Sequence, residues 1–334
     1  MEKLLEVKNL TTGFRKEGKI TPVVNSLDLT IKEGEILGLV GESGSGKSVT
    51  SLSIMRLLHD TPGEIIEGEV VYKGTDLLKL PEAEMRRYRG KELSMIFQEP
   101  MTSLNPVLKI GKQLTETIVL HLKMPKKEAK EHAIKTLESV GIPRAKEIMD
   151  EYIHQLSGGM RQRVMIAMQL SCSPSLLIAD EPTTALDVTI QAQILNLLKK
   201  IQENTKMGIL LITHDLGVVA EVCDRVVVMY AGRVVEEAAA EELFENPRHP
   251  YTRGLIDSIP KIGSDQKRLY TIPGTVPNPT EMPAGCKFAP RCSYAMNQCF
   301  EQEPELIAIG NRTSRCWLEA DAGVEKAERE FVHE

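Results

Sequence analysis

The sequence predicts an α/β fold in which parallel strands carry a phosphate-binding loop. Short, mainly apolar runs at 36–40, 93–97, 176–180 and 209–213 are typical of buried parallel strands. A glycine-rich loop lies between the first run and an amphipathic segment at 49–58, which indicates a strand–loop–helix unit. Residues 1 to about 35, and then 68–77, alternate between apolar and polar, so a smaller antiparallel sheet is predicted beside the parallel strands.

The loop reads Gly-Glu-Ser-Gly-Ser-Gly-Lys-Ser and matches the G-x-x-x-x-G-K-[ST] phosphate-binding pattern in full. Glycines let backbone N–H groups approach phosphates closely, and the N-terminus of the following helix adds partial positive charge. We expect Lys47 to reach the β- and γ-phosphates and the Ser48 hydroxyl to bind Mg²⁺. A glycine-rich turn that binds nothing is the alternative, which the strand and helix on either side disfavour. The candidate nucleotide-binding residues here are Gly41, Ser43, Gly44, Ser45, Gly46, Lys47, Ser48 and Val49.

Two acids lie at the end of the run at 176–180. Asp180 ends this run and is a candidate Mg²⁺ ligand, directly or through water. Glu181 follows and is the candidate general base that activates the attacking water. Phosphoryl transfer requires positioning and charge neutralisation more than covalent chemistry, so one base, one lysine and one metal ion are sufficient.

A segment upstream of these acids, Leu156-Ser-Gly-Gly-Met-Arg-Gln162, resembles the LSGGQ segment of ATP-binding-cassette (ABC) ATPases. Together with the complete phosphate loop, this segment identifies the chain as similar to that family. In the family, two cassettes close on ATP, and each contributes this segment to the nucleotide of the other. The resemblance implies that Ser157 caps the following helix, and that Ser157, Gly158, Gly159 and Gln162 contact the partner's nucleotide.

The resemblance to ABC ATPases also implies roles for residues whose neighbouring sequence would not by itself indicate a function. Gln98 resembles the Q-loop glutamine at the γ-phosphate end of the site and is a candidate Mg²⁺ ligand, and His214 resembles the switch histidine. Residues 185–187 resemble the D-loop. Phe14 is the candidate for the aromatic ring that stacks on adenine. Taken alone, His214 reads as an ordinary histidine at a strand end, and Phe14 has a buried core residue as its alternative. The predicted catalytic residues are Lys47, Gln98, Glu181 and His214.

Composition limits the function classes. Aromatic residues make up 4% of the 334 residues and the net charge is −6, which argues against a nucleic-acid-binding surface. There is no apolar run of eighteen residues and no signal-peptide core at the N-terminus. We therefore expect a peripheral protein on the cytoplasmic face of the membrane, where membrane work is done by partner subunits.

Two sequence regions are predicted. Residues 1–240 contain the nucleotide-binding domain, with a RecA-like core and a helical subdomain at about 100–165 whose helices cover 110–122, 126–140 and 157–170. Residues 241–334 form a C-terminal extension.

The extension narrows the resemblance. The segments 249–252 (His-Pro-Tyr-Thr), 272–274 (Ile-Pro-Gly) and 98–106 resemble ATPase subunits of the dipeptide/oligopeptide (also nickel) importer family. Ile153 departs from that family, whose members often carry proline there. The resemblance implies ATP-driven import of di- or oligopeptides through two permease membrane subunits, with a second ATPase subunit, identical or different, and an external solute-binding protein. Import of nickel or another solute is an alternative. A soluble, non-transport ABC ATPase is another, although the chain lacks the long coiled coil or second cassette of such proteins.

The extension also contains four of the six cysteines: Cys286, Cys292, Cys299 and Cys316. A disulfide is disfavoured in a reducing cytosol. The spacings are wider than usual for zinc, and the C-x₂-C spacing of ferredoxins is absent, so zinc, an iron–sulfur cluster and no metal all remain open. The resemblance to dipeptide-importer ATPases, some of which carry a [4Fe–4S] cluster in this region, favours the cluster. Cys172 and Cys223 lie among apolar residues and are predicted to pack in the core.

Overall fold

The computed structural model describes residues 2–59, 61–98, 104–183, 187–260 and 270–319. Contacts divide the chain into two compact units. The first unit comprises Met1–Leu5, Thr30–Ile36 and Val71–Ile212, and the second comprises Glu6–Leu29, Leu37–Val70 and Thr213–Glu334.

The described residues form the following strands and helices. The strands are β1 (Lys3–Lys16), β2 (Lys19–Lys32), β3 (Ile36–Val40), β4 (Gly63–Tyr72), β5 (Thr75–Asp76), β6 (Leu93–Ile96), β7 (Leu176–Asp180), β8 (Gly208–Thr213), β9 (Arg225–Tyr230), β10 (Arg233–Ala239), β11 (Ile307–Ile309) and β12 (Arg312–Ser314). The helices are α1 (Lys47–Ile54), α2 (Glu82–Tyr88), α3 (Ile110–Leu122), α4 (Lys126–Ser139), α5 (Ala145–Ile148), α6 (Gly158–Leu170), α7 (Val188–Thr205), α8 (Leu216–Val222), α9 (Ala240–Glu245), α10 (Pro250–Asp257) and α11 (Asn297–Glu301).

In the first unit, β6, β7 and β8 are parallel neighbours in that order. The register pairs Leu176 with Gly208 and Asp180 with Ile212. These strands are buried along their whole length, which explains why their sequences are continuously apolar rather than alternating. The predicted parallel strands, and with them the α/β class, are confirmed.

The helices of the first unit form a group in which α3, α4 and α6 pack on one another, while α6 also contacts β6. The buried residues of α3 include Ile110, Leu114 and Ile118, which lie four residues apart and so share one face of the helix. This spacing is the reason that the predicted helix at 110–122 agrees with the structure at both ends. Among the described residues, no helix is long and apolar enough to cross a membrane.

In the second unit, the strand that precedes the phosphate loop pairs with strands far along the chain. β3 is parallel to β9, and β9 and β10 form an antiparallel hairpin. Beyond them, β12 pairs with β10, with Glu236 opposite Ser314, and β11 pairs with β12. The C-terminal region therefore continues the sheet that carries the phosphate loop, although the sequence predicts a border at residue 240. A further sheet has β2, β1 and β4 as neighbours, and a turn at 17–18 joins β1 to β2.

The buried strand β8 provides a test of the core. Leu210 is 0% exposed, so Leu210→Ala should lower the free energy of unfolding by about 2–5 kcal/mol, because it removes buried methyl groups and leaves a cavity. Leu120 is 70% exposed on α3, and the same substitution there should change stability by less than about 0.5 kcal/mol. Denaturant unfolding of the two variants measures the difference. Equal effects would contradict this description of the core.

Candidate functional site

At two positions of the phosphate loop, the backbone conformation or its close contacts require glycine. The buried strand β3 leads into Gly41, where an added Cβ would overlap the carbonyl oxygen of Met229. Gly46 is the N-cap of α1 and has a φ of 103°, a left-handed conformation that side chains disfavour. Ser43 and Gly44 are exposed at the tip of the loop, and Ser45 is buried. The loop therefore presents its tip to solvent while its base is fixed.

Lys47 is buried and directs its ammonium group into the loop. Its Nζ donates hydrogen bonds to the carbonyl oxygens of Gly41 at 2.8 Å and Glu42 at 3.0 Å. Ser48 and Val49 are half-buried in the first turn of α1. A positive charge at the centre of a loop at a helix N-terminus is the arrangement that phosphate groups require.

The two acids lie at the end of β7 in the first unit. Asp180 is the last residue of the strand and is buried. Glu181 is half-buried and has a φ of 48°, a left-handed conformation that is uncommon for a residue with a side chain. Its N–H donates to the carbonyl of Ile212 at 2.9 Å. Such local backbone strain persists only when surrounding contacts hold it, and it is concentrated at functional sites.

Two glutamines provide those contacts within the first unit. The Gln98 side-chain amide donates to the Glu181 carboxylate, with an Nε2–Oε2 distance of 3.1 Å. The Gln162 side chain is 2% exposed and donates to the carbonyl of Pro182, the residue after Glu181. The candidate base is thus held from its side chain, its own N–H and the following peptide group.

The segment that resembles LSGGQ begins α6. Ser157 caps this helix, and its Oγ accepts a hydrogen bond from the N–H of Met160 at 3.4 Å, so the predicted cap is confirmed. Ser157 and Gly158 are exposed and Gly159 is half-buried. The Gln162 side chain instead donates its hydrogen bond to the carbonyl of Pro182 within the first unit. The contact of this segment with a partner's nucleotide stays a prediction.

The remaining predicted residues are Phe14, His214 and those of the D-loop. Phe14 is half-buried on β1, and a Cβ added to Gly63 would lie 3.1 Å from its ring. His214 is exposed directly after β8. Of the D-loop, residues 185–186 lie outside the described residues, as do 99–103 after Gln98, and Asp187 caps α7 by accepting from the N–H of Ile190 at 2.9 Å.

The structure adds two residues that the sequence did not single out as part of this site. The Tyr251 hydroxyl accepts a hydrogen bond from the N–H of Glu42 at 2.8 Å. The Arg291 guanidinium pairs with both carboxylate oxygens of Glu42, at 2.6 and 3.0 Å. Tyr251 belongs to the His-Pro-Tyr-Thr segment, which was recognisable only as a family pattern. No local signal connects Arg291 with a residue 249 positions earlier.

The four cysteines of the C-terminal region converge. They line one cavity of about 20 Å³, whose other walls include Phe288 and Trp317. Burial raises the pKa of the thiols of Cys286 and Cys292 and raises that of Cys316 to about 12. All six cysteines of the chain are free thiols. Cys172 and Cys223 are buried, as predicted.

The four thiols that line this cavity are the donor type that an iron–sulfur cluster requires. Within the described parts of the chain, no three His, Cys, Asp or Glu side chains are grouped closely enough to hold a single metal ion.

Comparisons with known proteins identify the family. Residues 24–184 match the family described as ABC transporter, and residues 235–299 match the oligopeptide/dipeptide transporter C-terminal region. The oligopeptide transport ATP-binding protein AppD of Bacillus subtilis is 54% identical, over 98% of this chain and 100% of that protein. The chain belongs to the oligopeptide/dipeptide family of ABC transporter ATP-binding proteins.

Other similar proteins agree with this membership. The oligopeptide transport ATP-binding protein OppD of Haemophilus influenzae is 50% identical over 96% of this chain and 99% of its own. Among solved structures, the dimeric ATP-binding cassette MJ0796 in a post-hydrolysis state with ADP and Pi has a TM-score of 0.63 and 29% identity, and the match covers 71% of this chain and 98% of the cassette. The predicted ABC cassette fold is confirmed, and proteins of this family bind and hydrolyse ATP.

The geometry at Gly41 predicts a specific loss of ATP binding. Gly41→Ala should weaken ATP affinity at least about tenfold, which is about 1.4 kcal/mol, because the new Cβ forces the loop away from the Met229 carbonyl. Gly310→Ala is the matched control, since Gly310 also has a positive φ of 63° but its Cβ would meet nothing within 4 Å. Titration with a fluorescent ATP analogue measures both affinities. Wild-type affinity in Gly41→Ala would contradict the close approach.

Proposed function

We propose that this chain is the ATP-hydrolysing subunit that drives import of di- and oligopeptides across the cytoplasmic membrane. The observation that carries the proposal is the near-full-length identity of 54% to an oligopeptide transport ATP-binding protein, extending through the C-terminal region. The match of residues 235–299 to the oligopeptide/dipeptide transporter C-terminal region supports the peptide substrate class, because a cassette alone does not carry that region.

The proposed partners are two permease membrane subunits, a second ATPase subunit of the same or a different kind, and an external solute-binding protein that delivers the peptide. The chain would then act as a peripheral subunit on the cytoplasmic face of the membrane. Family membership supports this arrangement.

The proposed roles at ATP follow from the chemistry of each group. The loop N–H groups and Lys47 bind the β- and γ-phosphates, and Phe14 stacks on adenine. Ser48, Gln98 and Asp180 would hold Mg²⁺, which supplies neutralisation of phosphate charge when bound. His214 contacts the γ-phosphate. The residues proposed to contact the partner's nucleotide are Ser157, Gly158 and Gly159. Gln162 was predicted with them, but its side chain is 2% exposed and donates to the Pro182 carbonyl, so we propose that it supports the segment after Glu181 instead.

Glu181 is proposed as the general base. Its carboxylate accepts a proton from water while the water oxygen bonds to the γ-phosphorus and the bond to the β–γ bridging oxygen breaks. The amide of Gln98, 3.1 Å from this carboxylate, supports the role because it fixes the direction of the accepting oxygens. Preorganisation of this kind avoids reorganisation during the reaction.

The base assignment predicts a separation of binding from chemistry. Glu181→Gln should lower kcat on the order of a hundredfold or more, because an amide cannot accept the proton, while ATP still binds and the closed dimer accumulates. Glu203→Gln on the exposed side of α7 is the matched control and should leave kcat unchanged. Phosphate release and size-exclusion chromatography with ATP measure the two effects. Normal turnover in Glu181→Gln would show that the base is a different residue.

The four cysteines are proposed as ligands of a [4Fe–4S] cluster. Their convergence on one cavity supports this role, as does the small, loop-rich character of the segment, which needs a staple to stay folded. The cluster would supply cross-links between Cys286, Cys292, Cys299 and Cys316. No step of ATP hydrolysis passes through it.

Anaerobic purification tests this proposal. Iron and acid-labile sulfide should each reach about four per chain, and Cys292→Ser should lose both. Cys172→Ser, which removes a buried thiol elsewhere, should keep them. Zinc alone would make the segment a zinc module, and the absence of any metal would refute both metal readings.

A further inference from the structure

We infer that Arg291 is a positioning residue for ATP binding, which holds the phosphate loop in shape from the C-terminal region through Glu42. The inference rests on the proposed binding of ATP at this loop. It gives residues of the C-terminal extension a role in shaping the phosphate loop, in addition to the family pattern in which they occur.

The Arg291 guanidinium is held in one orientation toward Glu42. Its side chain is 5% exposed, and its two terminal nitrogens pair with the two oxygens of Glu42, at 2.6 and 3.0 Å. Paired hydrogen bonds between two charged groups are shorter and stronger than neutral ones, and they fix orientation as well as distance. The Glu42 side chain is 32% exposed, so the pair is partly shielded from solvent and is screened by salt less than a fully exposed pair.

The remaining donors of Arg291 are used to orient it. Nε donates to the carbonyl of Pro273 at 2.8 Å, and Nη2 also reaches the carbonyl of Ile272 at 3.4 Å. The guanidinium carbon lies 5.7 Å from the ring centre of Tyr230 and 5.9 Å from that of Phe288, within the range of cation–π attraction. The Ile-Pro-Gly segment therefore contributes carbonyls that aim the guanidinium at the phosphate loop.

Tyr251 holds the same loop residue by its backbone. Its hydroxyl accepts from the Glu42 N–H at 2.8 Å, and its ring packs 4.7 Å from that of Tyr230. Burial raises the pKa of the Tyr251 hydroxyl, so it stays neutral. The side chains of Arg291 and Tyr251, which both pack against the ring of Tyr230, therefore each bind Glu42.

The result is that every polar group of Glu42 is held. Arg291 binds its carboxylate, Tyr251 binds its N–H, and Lys47 donates to its carbonyl at 3.0 Å. Glu42 follows Gly41 and precedes Ser43, so fixing it fixes the entrance of the loop. A loop ordered before binding loses less conformational entropy when the phosphates bind, which increases affinity.

Charge gives a second reason for the pair. Glu42 places a carboxylate in a loop that must attract phosphate oxygens, and like charges at short distance repel one another. Arg291 neutralises this carboxylate on the side held by the C-terminal region. Loss of the arginine would therefore loosen the loop and also leave the Glu42 charge unpaired.

The test measures ATPase kinetics of the full-length protein and its affinity for ATP. Arg291→Gln should raise both KM and Kd for ATP at least tenfold, while kcat at saturating ATP changes by less than threefold. Arg291→Lys should restore part of the affinity, because lysine keeps the charge but not the paired geometry. This split and the partial rescue would not follow from a general loss of stability.

Arg233→Gln is the matched control. Arg233 pairs with Glu303 at 2.9 Å and also ties the C-terminal region to β10, but it does not contact the phosphate loop. Its KM for ATP should stay within threefold of wild type. An equal rise in KM for Arg233→Gln would overturn the inference, since the effect would then come from loosening of the whole region.

Tyr251→Phe tests the same inference if Arg291→Gln fails to fold. It keeps the packed ring and removes only the acceptor of the Glu42 N–H, and it should raise KM for ATP at least threefold. Wild-type KM in Tyr251→Phe and in any folded Arg291 variant would overturn the inference. A wild-type protein that binds no ATP would instead refute the proposed function.

Discussion

The shape of the phosphate loop depends on the contacts of Glu42. A segment with three glycines in eight residues has large conformational freedom, and its N–H groups must face solvent to remain available for phosphates. The loop therefore has to be held from its other side. Arg291 and Tyr251 do this from the C-terminal region, and they do so without occupying the exposed tip at Ser43 and Gly44. The β12–β10 pairing joins that region to the sheet that carries the loop.

In the first unit, the backbone at the end of β7 is likewise held by side chains from distant positions in the sequence. Glu181 has a backbone conformation that would be unfavourable in isolation, and hydrogen bonds from Gln98 and Gln162 to the residue and its neighbour hold the segment in place. In both units, a functional backbone segment is fixed by side chains that come from distant positions. Function and stability are therefore coupled at these points, and truncation of a supporting side chain should affect the site before it affects the fold.

Sequence patterns over a few residues predicted the strands, helices and loops whose conformation depends on neighbouring residues. The continuous apolar runs gave the buried strands, and apolar residues four apart gave the helix Ile110–Leu122. The glycine pattern gave the phosphate loop, and Ser157 gave a helix cap. The pairing of β12 with β10 and that of Arg291 with Glu42 could not be predicted, because both join residues that are far apart in sequence and come together only by tertiary packing. The cysteine count indicated a possible donor set, but only the fold brings the four thiols to one cavity.

The measurement that tests the central claim most directly is amide hydrogen exchange of the phosphate loop in nucleotide-free protein. The N–H of Glu42 should be protected in the wild type, because Tyr251 accepts its hydrogen bond, and in Arg291→Gln it should exchange at least about tenfold faster while the core of β9 keeps its protection. Equal exchange at Glu42 in the two proteins would mean that the loop holds its shape without Arg291, and would contradict the account.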